Sequence, residues 1–137
     1  MATYLSQENI NNIKEFLIDK LSPDFIIIFG SAAKDMLRED SDIDIAFFSD
    51  KTHSEYEMFI VGQELATILG RDVDLIDIKK ASTVFKSQIL GNGKIIYSKD
   101  EIQTKTFHMK AYREYCKLNE ERKEILDRVK ERGAIYE

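Results

Sequence analysis

The sequence predicts an α/β domain with a helical extension, and three observations predict it. Strand-like and helix-like segments alternate over the first hundred residues. One strand-like segment, Phe25-Ile26-Ile27-Ile28-Phe29, is apolar throughout, which suits a strand covered on both faces. From about Lys99 to Arg132 the composition turns strongly helical. With 137 residues the chain is long enough for one real core and too short for two. Residues 1–137 are therefore expected to form a single domain, with a core over 1–98 and a helical extension over 99–137.

The elements follow in order. Ser6 is placed to cap a first helix whose apolar positions Ile10, Ile13, Leu17 and Leu21 recur at helical spacing. Pro23 ends it, since helices stop at or before the residue preceding a proline. Strand 25–29 comes next, and Gly30-Ser31 break it and open a short helix to about Leu37. After a charged turn, Asp42 to Phe48 reads as a second strand. A helix from about Ser54 to Leu69 turns Tyr56, Phe59, Ile60 and Leu65 inward and stops at Gly70. Asp72 to Ile78 is a third strand. Ser82 caps a short helix ending at Gly91, and Lys94 to Tyr97 is an edge strand. In the tail, Ala111, Tyr115, Leu118, Ile125 and Val129 form one apolar stripe, whose default is packing on the sheet, and Gly133 is its terminator.

Composition excludes several classes. Hydrophobic residues at 43% and charged residues at 33% describe a soluble globular chain rather than a disordered one. No apolar run approaches the roughly 20 residues that span a bilayer, and the N-terminus lacks a signal pattern, so the cytoplasm is the expected location. Cys116, the sole cysteine, suits a reducing compartment and reads as an inert thiol. A net charge of −5 argues against duplex nucleic acid as the main partner. That charge is uneven: residues 1–104 hold 11 Lys/Arg against 18 Asp/Glu, and residues 105–137 hold 9 against 7.

The acidic part holds the chemistry. Side chains alternate along a strand, so Asp42 and Asp44 project to one face, roughly 7 Å apart, while Ile43 between them points into the core. Two neighbouring carboxylates on a buried strand repel and lose hydration unless a cation joins them. Oxygen ligands of this kind favour magnesium or manganese over zinc, and His53 and His108 stand apart from any Cys/His cluster. Ahead of the pair, Gly30-Ser31 lie at a strand-to-helix turn, where free backbone N–H groups and a positive dipole end suit phosphate. A phosphate cradle beside a metal pair describes a site for a metal-bound nucleoside triphosphate. A third carboxylate would complete a two-metal site, and Asp72, Asp74 and Asp77 are the candidates. Asp72 stands at the exposed start of its strand and Asp77 has the opposite parity. Asp74, mid-strand, is the best choice, as metal ligand and as acceptor of the attacking hydroxyl's proton.

The segment FGSAAKDMLREDSDIDIAFF, residues 29–48, spaces Gly-Ser and Asp-x-Asp by ten residues. This signature resembles that of the polymerase-beta-like nucleotidyltransferases. The short length and the Val73-Asp74-Leu75 strand resemble their minimal (MNT) branch, and the tail from Phe107 is similar to the tails of MNT antitoxins encoded beside HEPN toxins. The resemblance implies a small mixed sheet flanked by helices, with Gly30 and Ser31 on the triphosphate of ATP. It implies that Asp42 and Asp44 bind both of two Mg2+ ions, with Asp74 as third carboxylate. Members of that branch neutralise a HEPN ribonuclease by transferring AMP from ATP to one of its tyrosines, so a HEPN-type toxin is the implied partner.

Two positions depart from the usual Gly-Ser-x-Ala-Arg-Gly. Lys34 replaces the arginine and keeps a cation near the phosphates without a bidentate fork; Asp35 replaces the second glycine and adds negative charge. Two other readings compete with transfer to a toxin: occlusion of the partner with little catalysis, and a small-molecule hydroxyl as acceptor. A site this small and open suits a macromolecular acceptor that brings its own half of the pocket. Self-association is left open by the sequence.

Overall fold

A computed structural model describes residues 5–38 and 40–136. Helix α1 spans Gln7–Leu21, with the Ser6 hydroxyl accepting the Asn9 amide at 3.1 Å and a left-handed Ser22 closing it just before Pro23. Strands β1 (Phe25–Phe29), β2 (Ile43–Phe48), β3 (Val73–Asp77) and β4 (Lys94–Ser98) form one sheet in the order β3-β2-β1-β4. β1 is antiparallel to both β2 and β4, and β2 runs parallel to β3, so the sheet is mixed. Helix α2 spans Glu55–Leu69, α3 Thr83–Asn92 and α4 Glu101–Tyr136. Ser54 and Ser82 cap α2 and α3, each hydroxyl accepting an amide at 3.1 Å.

Period-two alternation divides the apolar side chains between two layers. Ile26, Ile28, Ile43, Ile45 and Phe47 face α1 and α2, where they meet Ile13, Leu17, Val61 and Leu65. Phe25, Ile27 and Ala46 face the other way, onto Ile78, Ile89, Phe85 and Phe107. β1 sits between β2 and β4, and its residues Phe25 to Ile28 are buried, as its unbroken apolar run requires.

Several expectations are corrected. Residues 30–35 form turns, not a helix. The Lys34 amide bonds to the Ser31 carbonyl at 3.2 Å and the Met36 amide to the same oxygen at 2.9 Å, while Asp35 turns left-handed (φ 55°) and closes the turn after one revolution. On α2, Tyr56 and Phe59 point outward, 75% and 61% exposed; the buried face is Val61, Gly62 and Leu65, with Met58 and Leu69 beside it. α3 runs one residue past Gly91 and stops where Gly93 turns extended, at a position where a side chain would strike Ile27 and the Ile89 carbonyl.

α4 does not stop at Gly133 but continues to Tyr136. A glycine permits a left-handed ending without forcing one. Its apolar stripe is buried only at Ala111, half-buried at Tyr115 and Leu118, and exposed at Ile125 and Val129. The physical reason is length: 36 residues at 1.5 Å each make a rod of about 54 Å, longer than the small sheet it starts on. No described helix is long and apolar enough to cross a membrane.

Candidate active site

β1 ends at Phe29, and Gly30 turns the chain with φ 70°, a conformation that a side chain disfavours. A Cβ built there would run into the Asp44 carboxylate, whose Cγ would lie 3.2 Å away. The close approach comes from register, since Phe29 is paired with Asp44 across the antiparallel β1–β2 ladder. Asp44 is in turn paired with Asp74 across the parallel β2–β3 ladder. Cross-strand partners share a face, so both carboxylates project to the α3 side of the sheet. Asp42, two residues before Asp44, adds a third carboxylate beside them.

The site's electrostatics follow from that arrangement. Asp44 is half-buried, while Asp42 and Asp74 are exposed. Burial pushes the Asp44 carboxyl above its ordinary value, and the negative charges of Asp74 and then Asp42 push it further the same way. Three like charges crowded at a sheet end form an arrangement that a divalent cation relieves.

Asp74 also lines an open cleft of about 550 Å3 at the free edge of β3, walled by Phe59 of α2 and Phe85 of α3. Phe85 packs edge-on against Phe29 with ring centroids 5.9 Å apart, which ties this wall to the strand that leads into Gly30. Asp42 opens instead onto a polar recess of about 440 Å3 that holds Arg71 and Asp72.

The structure thus brings Gly30, Asp42, Asp44 and Asp74 together, with half-buried Ser31 opening the following turn. Without a helix there, the amides of that turn, not a helix dipole, are what the segment offers an anion. Lys34 is exposed on the turn, and no ion pair fixes it among the described residues. Asp35 does not face the carboxylates unpaired: its Oδ1 lies 3.4 Å from Lys94 Nζ, in a recess with Ile10 and Ile28 of the α1 side. Asp72 is exposed, and buried Asp77 turns the other way, its Oδ1 accepting the Lys79 amide at 3.1 Å. His53 lies in the α1–α2 layer, bonded to the Leu21 carbonyl at 3.2 Å. Sequence reasoning missed Arg71, which reaches the loop ahead of Asp42. No side-chain pattern in the sequence marks it, because its partners are backbone carbonyls.

The polymerase beta nucleotidyltransferase family model matches residues 11–102, which include Gly30, Ser31 and all three aspartates. The protein adenylyltransferase MntA of Shewanella oneidensis is 33% identical over 126 residues, covering 91% of this chain and 90% of that one. The fold superposes on a chain of a toxin–antitoxin crystal structure with AMP-PNP at a TM-score of 0.80 and 34% identity, covering 88% of this chain and 98% of that one. It also superposes on a chain of the complex of a tri-AMPylated Shewanella oneidensis HEPN toxin with its MNT antitoxin, at a TM-score of 0.76, 32% identity and coverage of 91% and 98%. Gly-Ser directly after β1, Asp42 just ahead of β2, Asp44 within it and Asp74 on β3 sit on a fold that matches over nearly the whole length, and the chain belongs to the polymerase beta nucleotidyltransferase family, in its minimal MNT branch.

Proposed function

We propose that this protein is an MNT antitoxin that transfers AMP from ATP to a tyrosine hydroxyl of a HEPN-type ribonuclease toxin, and so neutralises it in the cytoplasm. One observation carries the proposal: Asp44 lies abreast of Asp74 on the neighbouring strand and against Gly30, with Asp42 beside them. The relatives support the acceptor, since one is named a protein adenylyltransferase and another is bound to an AMPylated HEPN toxin. Residues 1–98 are read as the catalytic core and 99–137 as its extension.

Asp42, Asp44 and Asp74 fit magnesium. Their donors are oxygen only, and burial, followed by the charges of Asp74 and Asp42, raises the Asp44 carboxyl above its ordinary value. Among the described residues no three acidic, imidazole or thiol groups close around an ion unaided. That openness agrees with a cation that completes its shell from substrate phosphates and water. When bound, magnesium neutralises charge on the triphosphate and polarises its phosphoryl oxygens.

The chain's own groups do the rest. The Gly30–Ser31 turn receives the triphosphate through backbone amides and the Ser31 hydroxyl, and Lys34 adds positive charge at its rim. Asp74, open to the cleft, accepts the acceptor hydroxyl's proton as its oxygen bonds to the α-phosphorus. The bond from that phosphorus to the bridging oxygen breaks, and pyrophosphate leaves with the electron pair. An open cleft leaves room for a folded protein to deliver its hydroxyl.

Asp74→Asn keeps the shape and removes the proton acceptor. Single-turnover transfer should fall by about 10²–10⁴. Calorimetric affinity for a non-hydrolysable ATP analogue should change far less. Equal losses in both would contradict Asp74 as base.

A further inference from the structure

Asp42 differs from its two companions in lacking a strand to hold it. β2 begins only at Ile43, and Asp42 follows a loop in which Asp40, Ser41 and Asp42 border an open polar recess. An exposed carboxylate at a loop's end loses conformational freedom when it binds an ion, and that loss weakens binding unless the backbone is already fixed.

The backbone is fixed from outside by Arg71. Arg38 and Ser41 are bonded to each other, the Ser41 hydroxyl accepting the Arg38 amide at 2.9 Å and the Arg38 carbonyl accepting the Ser41 amide at 3.1 Å. The Arg71 guanidinium crosses over and donates through Nη1 to two carbonyls, those of Arg38 and, at 3.3 Å, Ser41. Arg71 has a firm base of its own. It follows the left-handed Gly70 that caps α2, and its amide bonds to the Ala66 carbonyl at 3.2 Å. The carbonyl of its neighbour Asp72 accepts the Ile43 amide at 2.9 Å, the first rung of the β2–β3 pairing. Asp42 is therefore held between carbonyls gripped by Arg71 and a ladder begun by Asp72. The guanidinium also sits in the same recess as Asp40, Asp42 and Asp72, where its charge offsets theirs before any metal arrives.

We propose that Arg71 is a positioning residue: it pre-sets Asp42 for metal binding by clamping the carbonyls of Arg38 and Ser41 to the end of α2. The inference rests on the proposed role of Asp42 as a metal ligand. Arginine suits this task because its charge is permanent and its planar group carries several donors in fixed directions, whereas a lysine ammonium gives a mobile point charge.

The test compares Arg71→Ala, Arg71→Lys and Asp42→Asn with the unchanged protein. Metal-free hydrogen exchange should speed up at residues 41–43 in Arg71→Ala and leave the β1–β4 amides protected. Calorimetric affinity for magnesium with AMP-PNP should fall about 10- to 100-fold in Arg71→Ala, the range typical of lost support behind a ligand, and less in Arg71→Lys. Manganese, bound more tightly by such donors, should recover part of the lost transfer. Unchanged exchange at 41–43, or unchanged metal affinity in Arg71→Ala alongside a loss in Asp42→Asn, would overturn the inference alone. An Asp42→Asn protein that binds magnesium and AMP-PNP normally would instead overturn the role of Asp42 on which it rests.

Discussion

Asp44→Asn is expected to abolish AMP transfer, by about 10³-fold or more, while making the metal-free protein slightly more stable. The two effects have one source. Half-burial and the charges of Asp74 and Asp42 raise the Asp44 carboxyl, so its ionised form is held in the folded state at a disadvantage. Asparagine has nearly the same shape and no charge to lose. The gain should stay within roughly 1 kcal/mol because solvent screens a half-exposed group. Its pH dependence has a definite sign. A carboxyl raised on folding binds protons more tightly in the folded state, so its unfavourable contribution is absent below the ordinary value of 3.8. It grows as pH rises from there through the raised value, and is complete above it. Thermal unfolding in EDTA should therefore show the Asp44→Asn protein ahead of the unchanged protein at neutral pH, with the gap closing as the pH falls toward the ordinary carboxylate range. Adding magnesium with AMP-PNP should reverse the order, because only the unchanged protein gains binding energy. A mutant that transfers AMP at the normal rate would remove Asp44 from the metal site.

The second large effect belongs to Gly30→Ala. Its φ of 70° suits glycine, and an added methyl group would strike the Asp44 carboxylate. Backbone strain and forced movement together should cost roughly 2–3 kcal/mol in a urea titration. Displacing Asp44 should also take transfer close to background. Gly70→Ala supplies the control. Gly70 has nearly the same dihedral, φ 67°, but nothing lies within 4 Å of a Cβ built there. It should lose about 1 kcal/mol from strain alone and keep its activity. If the two variants behaved alike, the contact between Gly30 and Asp44 would carry no special weight.

Much of this site was legible because it depends on local rules. Parity along β2 places Ile43 in the core and Asp44 on the opposite face, whatever the rest of the fold does. Parity also separates Asp74 from Asp77. Caps such as Ser6, Ser54 and Ser82 act within three residues and were read or bracketed correctly.

What escaped depends on tertiary context. On α2 the expected inward set holds for Leu65, which is buried, and fails for Tyr56 and Phe59, which are exposed; Met58, Val61 and Leu69 have equally helical spacing with Leu65, and only packing against α1 and β3 chooses that face. The turn after Gly30 ends early because Asp35 adopts a left-handed conformation, and its carboxylate meets a lysine 59 residues away. Arg71 belongs to the site through two carbonyl contacts, which no side-chain pattern announces. The far half of α4 has the stripe of a packed helix and simply outruns the sheet.

The central claim is that this site moves AMP onto a partner's hydroxyl. The most direct measurement incubates the purified protein with magnesium, a HEPN-type toxin, and ATP labelled at either the α- or the γ-phosphate. Transfer of AMP predicts α-label on a tyrosine of the partner, release of the γ-label with pyrophosphate, and no labelling when Asp42 or Asp44 is replaced by asparagine. A partner that is neutralised while remaining free of α-label would contradict the claim.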